Sequence, residues 1–217
     1  MTQTTVTSPQ FGPDFQTQLL ELLRWRRDVR RFRSDPVPEE AINGLLEAAN
    51  LAPSVGLSQP WRFVSVRSPD LRREIEENFR RCNRDALSDY AEEEVRIYAS
   101  LKLSGLGEAP VHFAVYCDEG TSQGRGLGRK TMPETLRYST VAAIQNLWLT
   151  ARARGIGVGW VSILDPEQVS KTLQTPEGWR FVAYLCVGYP EEEHLDPELE
   201  RHKWEKRKDF RANLLTR

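Results

Sequence analysis

Apolar residues recur at helical spacing at Phe15, Leu19, Leu22 and Leu23, which predicts a helix over 14–25 running into an arginine-rich stretch. Pro36 and Pro38 break the chain. A second helix is expected over 38–51, with Pro38 near its first turn and Ile42, Leu45, Leu46 and Ala49 on one face. The loop LAPSVGLSQPW follows, and WRFVSVR (61–67) then reads as a strand. Residues 69–104 are charged and mostly helical with a weak apolar stripe, a pattern that suits a surface lid or a plain solvated helix. VHFAVYCD (111–118) is a strong strand. Tyr138, Val141, Ala142, Gln145, Leu149 and Ala153 follow the helical period within 134–154, and Arg152, Arg154 and Gly155 form a C-terminal signature. GVGWVSI (157–163) reads as a strand, 166–174 as a short helix, and the near-continuous apolar run 179–190 as a central strand buried on both faces. Residues 191–217 are polar, with Trp204 among Lys203, Lys206, Arg207 and Lys208. Helices interleaved with strands in this order predict a single α+β domain over 14–190, a frayed leader over 1–13 and a C-terminal extension over 191–217.

With 217 residues the chain suits one packed domain. Its formal net charge of −1 gives no global attraction for nucleic acid or an anionic membrane, so its arginine clusters need a local explanation. Three cysteines, Cys82, Cys117 and Cys186, lack CxxC spacing and argue for a reducing cytoplasm rather than a disulfide framework. Cys117 and Cys186 lie in strand-like runs, where cysteine is usually a small core residue. The N-terminus lacks the basic and apolar regions of a signal peptide, and no run approaches a membrane span.

GRGLG (124–128) and GIGVG (155–159) invite a nucleotide-binding reading, but neither is GxGxxG, and the second follows a helix and opens a strand. That order is the reverse of a dinucleotide site. Gly155 reads as a helix C-cap, while Gly157 and Gly159 can let a flat ligand approach the backbone. His112, His194 and His202 lack metal-ligand spacing, and His112 reads as a satisfied structural histidine. RRDVRRF (26–32) is either a phosphate clamp of guanidinium forks or a solvated basic helix end. PSVGLSQPW (53–61) is either a proline-bounded structural turn or a rigid loop able to hydrogen-bond a heteroaromatic edge. Ser162 ends a strand of small residues that give close access.

Taken in order, RRDVRRF, APSVGLSQPWRFV, SLKLSGLGEAP, YSTVAAIQNLWLTARARGIGVGWVSI and a strand ending VGYP resemble the flavin-dependent nitroreductase superfamily, from about residue 15 to 207. Within it they resemble the branch that makes 5,6-dimethylbenzimidazole, the lower ligand of vitamin B12. The resemblance implies a mixed, mostly antiparallel sheet flanked by helices, in an intertwined homodimer whose C-terminal extension, with Trp204, packs on the partner. It implies that Arg26, Arg27, Asp28, Val29 and Arg30 hold the flavin phosphate and ribityl chain, with Arg207 a further contact. It implies that Pro53, Ser54, Val55 and Gly56 approach the ring, and that Ser100 and Leu103 reach it from a lid. Ordinary nitroreductases tend to carry serine where Asp28 stands and asparagine where Gly56 stands. The implied reaction consumes reduced FMN with O2, without a metal, and needs a separate flavin reductase. Asp28, kept ionised by the arginines, would serve as base or relay, and Ser162 would act near flavin N5. A nitroreductase or quinone reductase fed by NAD(P)H, and a non-enzymatic flavin-binding module, are the competing readings.

Overall fold

The computed structural model describes residues 8–87, 95–98 and 101–217. Four strands, β1 (Trp61–Ser65), β2 (Val111–Asp118), β3 (Gly157–Val161) and β4 (Trp179–Gly188), form one sheet in the order β1-β2-β4-β3, with every neighbouring pair antiparallel. The sheet is mixed only through residues 26–32, which lie beside β3 with a parallel bridge between Asp28 and Val158.

Alternation along β2 and β4 explains their unbroken apolar runs. Phe113, Val115, Ala183, Leu185 and Val187 face one core, with Leu45 and Ala49 of α2 (Glu39–Asn50) and Ile144 and Leu147 of α4 (Thr135–Ala153). Ala114, Tyr116, Tyr184 and Cys186 face the other, with Ile75 and Phe79 of α3 (Pro69–Leu87) and Val169 of α5 (Pro166–Thr172). Both faces are therefore covered, and a strand between two cores cannot alternate with polar residues.

Two expectations change. The stripe Tyr138–Val141–Gln145 of α4 points outward, and the sheet is met by Leu136, Ala143, Ile144, Leu147 and Ala151 instead. The helix is apolar on more than one side, so periodicity alone does not choose the inward face. The helix α1 (Pro13–Trp25) buries no residue and leaves Phe15, Leu19, Leu20 and Leu23 exposed, so its stripe serves no core among the described residues. Up to Leu87 the charged stretch is a helix that buries Ile75, Asn78 and Phe79, with Asn78 donating to Asp165 O (3.1 Å) and accepting from Asp165 N (2.9 Å), while residues 88–94 and 99–100 of the expected lid lie outside the described residues.

The C-terminal extension turns back on its own chain. Arg31 Nη1 meets Glu198 Oε1 at 2.9 Å in the short helix α6 (Glu198–Arg201), and the Trp204 ring lies edge-on to Tyr98, 6.0 Å away.

Candidate flavin site

The arginine stretch is not helical, and its residues 26–31 are half-buried. Arg26 already has extended dihedrals, and Val29 N donates to Val158 O at 3.0 Å while Arg33 N donates to Tyr189 O at 2.8 Å. Phe32 locks the segment in place: it is 1% exposed, a Cβ on Gly105 would fall 2.3 Å from its ring, and Gly188 and Gly159 lie close against the same ring. A Cβ on Gly159 would also come within 2.1 Å of Val29 O, and one on Gly157 within 2.8 Å of Val29 Cγ2. These glycines therefore admit the arginine strand, not a flat ligand. Gly155 caps α4 as expected, with φ of 69° and its N–H donating to Arg152 O.

Asp28 stands at the centre. Its Oδ1 accepts from Trp160 N at 2.8 Å and its Oδ2 from Arg30 Nε at 3.0 Å. A third of its side chain stays open, yet protein crowds the rest. Burial pushes its carboxyl above the usual range, against the pull of Arg30, the Trp160 N–H and Arg26. Desolvation thus outweighs the cations in setting the direction of the shift. Ser162 lies just past β3, exposed, two residues beyond Trp160.

The cations separate by partner. Arg26 lies over the Trp148 ring, 4.9 Å from its centroid. Arg27 Nε donates to His194 O at 3.2 Å and Leu195 O at 3.1 Å, which ties the extension down. Burial lowers both guanidinium groups, and the Arg207 charge lowers both further. Arg30 Nη1 donates to Lys102 O at 3.0 Å. Leu103, next in the chain, packs with Val29 on the core that contains Phe32. Ser100 lies outside the described residues.

The proline-bounded loop sits elsewhere on α4. Val55 N donates to Ser139 Oγ at 3.1 Å, whereas the arginine strand meets Trp148, whose Nε1 donates to Arg27 O at 3.1 Å. Nine helical residues separate these anchors, about 13 Å along the axis. Gly56 has a φ of 58°, and a Cβ there would fall 3.0 Å from Gly124 O, so asparagine would strain the turn. Ser54 Oγ accepts from Gln59 N at 3.1 Å, while Leu57 and Gln59 also take positive φ, a loop held taut by its surroundings. Pro53 precedes this taut turn. The described residues thus bring Arg26, Arg27, Asp28, Val29, Arg30, Leu103 and Arg207 together, but not Pro53, Ser54, Val55 and Gly56 with them.

Sequence reasoning missed Trp160, which acts through its backbone and carries no side-chain signal. It missed Glu198, one acid among many in a polar tail, and Phe32, which looks like any core aromatic. His112 is a structural histidine as expected, between Tyr184 Oη (3.1 Å) and Ala109 O (3.0 Å), and burial lowers it to about 4. Cys117 and Cys186 are fully buried, and burial raises both thiols, so they are inert core residues.

A cavity of about 50 Å³ beside Asp28 is lined by Arg27, Arg30, Trp148, Val158 and Glu198. A fused-ring ligand needs several hundred Å³, so its ring must find further surface.

The family model described as the nitroreductase family matches residues 23–189. The 5,6-dimethylbenzimidazole synthase of Rhodospirillum rubrum is 57% identical over 202 residues, 93% of this chain and 96% of its own. That of Rhodobacter capsulatus is 48% identical over 195 residues, 90% and 94% of the two chains. A crystal structure of oxidized iodotyrosine deiodinase bound to FMN and 3-iodo-L-tyrosine superposes with a TM-score of 0.69 at 27% identity, covering 81% of this chain and 91% of that one. On these grounds, from the arginine strand through the last strand of the sheet, this chain belongs to the nitroreductase family.

Proposed function

We propose that this protein is a 5,6-dimethylbenzimidazole synthase that consumes reduced FMN and O2. The observation that carries the reading is the 57% identity to the Rhodospirillum rubrum synthase across nearly both whole chains. The site supports it independently. Burial, and then the nearby Arg207 charge, lower the Arg26 and Arg27 guanidinium groups, so the cluster is a cationic hole that an anion relieves. That chemistry fits the flavin phosphate.

Bound reduced FMN would supply the electrons that O2 takes up and the carbon of the product, with ribityl C1′ becoming C2 of the benzimidazole and the rest of the sugar leaving as erythrose 4-phosphate. The chain's own residues then have separable tasks. Arg26 and Arg207 grip the phosphate, and Arg27 holds the extension over it. Asp28, partly open and raised toward neutrality, takes up the proton released from C1′ at its carboxylate. Ser162 relays a proton on the N5 side. The ring, which the small cavity cannot hold, lies against the Pro53–Gly56 loop of a second copy in a homodimer. The exposed faces of α1 and of Tyr138 and Val141 supply that contact.

The test is one incubation: the protein with FMN kept reduced by a flavin reductase and NAD(P)H in air, followed by chromatography and mass spectrometry. 5,6-Dimethylbenzimidazole that depends on both protein and O2 is the expected result. FMN that merely cycles, with no benzimidazole, would refute the reading.

A further inference from the structure

Arg26 is a half-buried cation whose N–H donors are unspent. Arg27 is matched with the carbonyls of His194 and Leu195, and Arg31 with Glu198. Among the described residues the Arg26 guanidinium donates to no acceptor and pairs with no carboxylate. Asp28 acts on it only through space, since the Asp28 oxygens are taken by the Trp160 N–H at 2.8 Å and by Arg30 Nε at 3.0 Å. What meets Arg26 is a ring: its Cζ lies 4.9 Å from the centroid of Trp148. That indole is itself fixed. It is 8% exposed, within the core that α4 shares with the sheet, and the Trp160 ring lies 6.4 Å from it at an angle of 32°. Its Nε1 donates to Arg27 O at 3.1 Å. One side chain of α4 therefore fixes both the backbone just after Arg26 and the Arg26 side chain. A ring face attracts a cation but carries no lone pair and no full charge. It restrains the guanidinium without neutralising it, as a carboxylate would, and an arriving anion meets a fork that is already placed.

We infer that Trp148 is a positioning residue of the flavin site: its ring holds the Arg26 guanidinium in place and leaves the donors free for the phosphate of FMN. The inference rests on the reading above that Arg26 grips that phosphate, and not on what becomes of the flavin afterwards. Because Trp148 acts through Arg26, its loss has a signature that loss of packing lacks. A loosened core weakens every flavin alike. A loosened Arg26 weakens only a flavin that carries a phosphate, and does nothing further where Arg26 is already gone. The two contacts of the indole also separate. Phenylalanine keeps a ring face and removes the Nε1 bond, whereas leucine removes both.

Titrations of the full chain with two flavins decide it. Oxidised FMN and riboflavin, which lacks the phosphate, are titrated by flavin fluorescence, and the affinity for FMN is divided by that for riboflavin. Arg26→Gln is expected to lower this ratio about tenfold or more. Trp148→Leu is expected to lower it about fivefold or more, and Trp148→Phe to keep it within about twofold of wild type. The double variant of Arg26→Gln with Trp148→Leu should match Arg26→Gln alone within about twofold. A ratio unchanged in Trp148→Leu, a Trp148→Phe that loses as much as Trp148→Leu, or losses that multiply in the double variant overturn the inference. So does a wild type that binds both flavins equally. If Trp148→Leu does not fold, tryptophan is replaced throughout by trifluorotryptophan, which weakens the ring face but keeps its shape and its N–H. The ratio should then fall about threefold or more in the otherwise wild-type chain and stay within about twofold in Arg26→Gln. Equal changes in the two chains, or none, overturn the inference. Ratios that behave as expected in a protein that makes no benzimidazole would sink the synthase reading and leave the role of Trp148 standing.

Discussion

Trp160 donates its backbone N–H to the Asp28 carboxylate at 2.8 Å, so the edge strand of the sheet orients the one acid within the arginine stretch. The bond needs residues 26–32 extended beside β3, and that arrangement needs glycine at 157 and 159. The chemistry of the site therefore depends on backbone packing some distance from any polar group.

Asp28→Asn keeps the shape and the Trp160 bond but cannot take up a proton. Reduced FMN should bind within a few-fold of wild type while benzimidazole yield falls by about 10² or more. Ser162→Ala should also bind FMN and lose a smaller factor, about tenfold. Anaerobic binding titrations set against product yield separate the two effects. Full yield from Asp28→Asn would remove the carboxylate from the mechanism.

Burial raises the Asp28 carboxyl, and the base needs its ionised form. Product formation should fall as pH drops through that raised value, with an acid limb above the 3.8 of an ordinary aspartate. A rate profile at saturating reduced FMN locates the limb, and a limb at or below the ordinary value contradicts the burial argument.

His112 is held neutral in the fold, its value lowered from 6.5 to about 4. The unfolded chain therefore binds more protons below pH 6.5, and folding stability falls as pH drops from 6.5 to about 4, then levels. The shift corresponds to roughly 3 kcal/mol across that window. Urea unfolding at a series of pH values should show this loss, and His112→Gln should flatten it.

Gly159→Ala sets a methyl group against Val29 O, whereas Gly155 meets nothing within 4 Å. Gly159→Ala should cost about 2 kcal/mol or more and weaken FMN binding by displacing the arginine strand. Gly155→Asn, in a left-handed cap that asparagine tolerates, should cost less than about 1 kcal/mol. Thermal melts with and without FMN make the comparison, and equal effects would remove the steric account of Gly159.

Leu19 and Leu23 are exposed on a helix that buries nothing in this chain. Sedimentation should give a dimer, and the double variant Leu19→Glu with Leu23→Glu should shift it toward monomer and weaken FMN binding. A wild-type monomer that binds FMN fully would exclude a shared site.

The order of elements, the α+β class, the doubly buried strand over 179–190 and the motifs that point to flavin chemistry were all legible in the sequence. The elements rest on local periodicity and composition, and the flavin reading rests on the resemblance of the ordered motifs to a known family. What periodicity could not choose was direction. In α4 it fitted both an inward and an outward stripe, and only the sheet packed against Ile144 and Leu147 separates them. Spacing could not tell that RRDVRRF leaves the helix at Arg26 to become an edge strand, because Phe32 finds its place among three glycines from distant parts of the chain. Nor could it give the direction in which the Asp28 carboxyl is shifted. The arginines beside it in sequence argue for a low value, and the burial that raises it comes from β3, β4 and the extension, which only the tertiary structure brings to it.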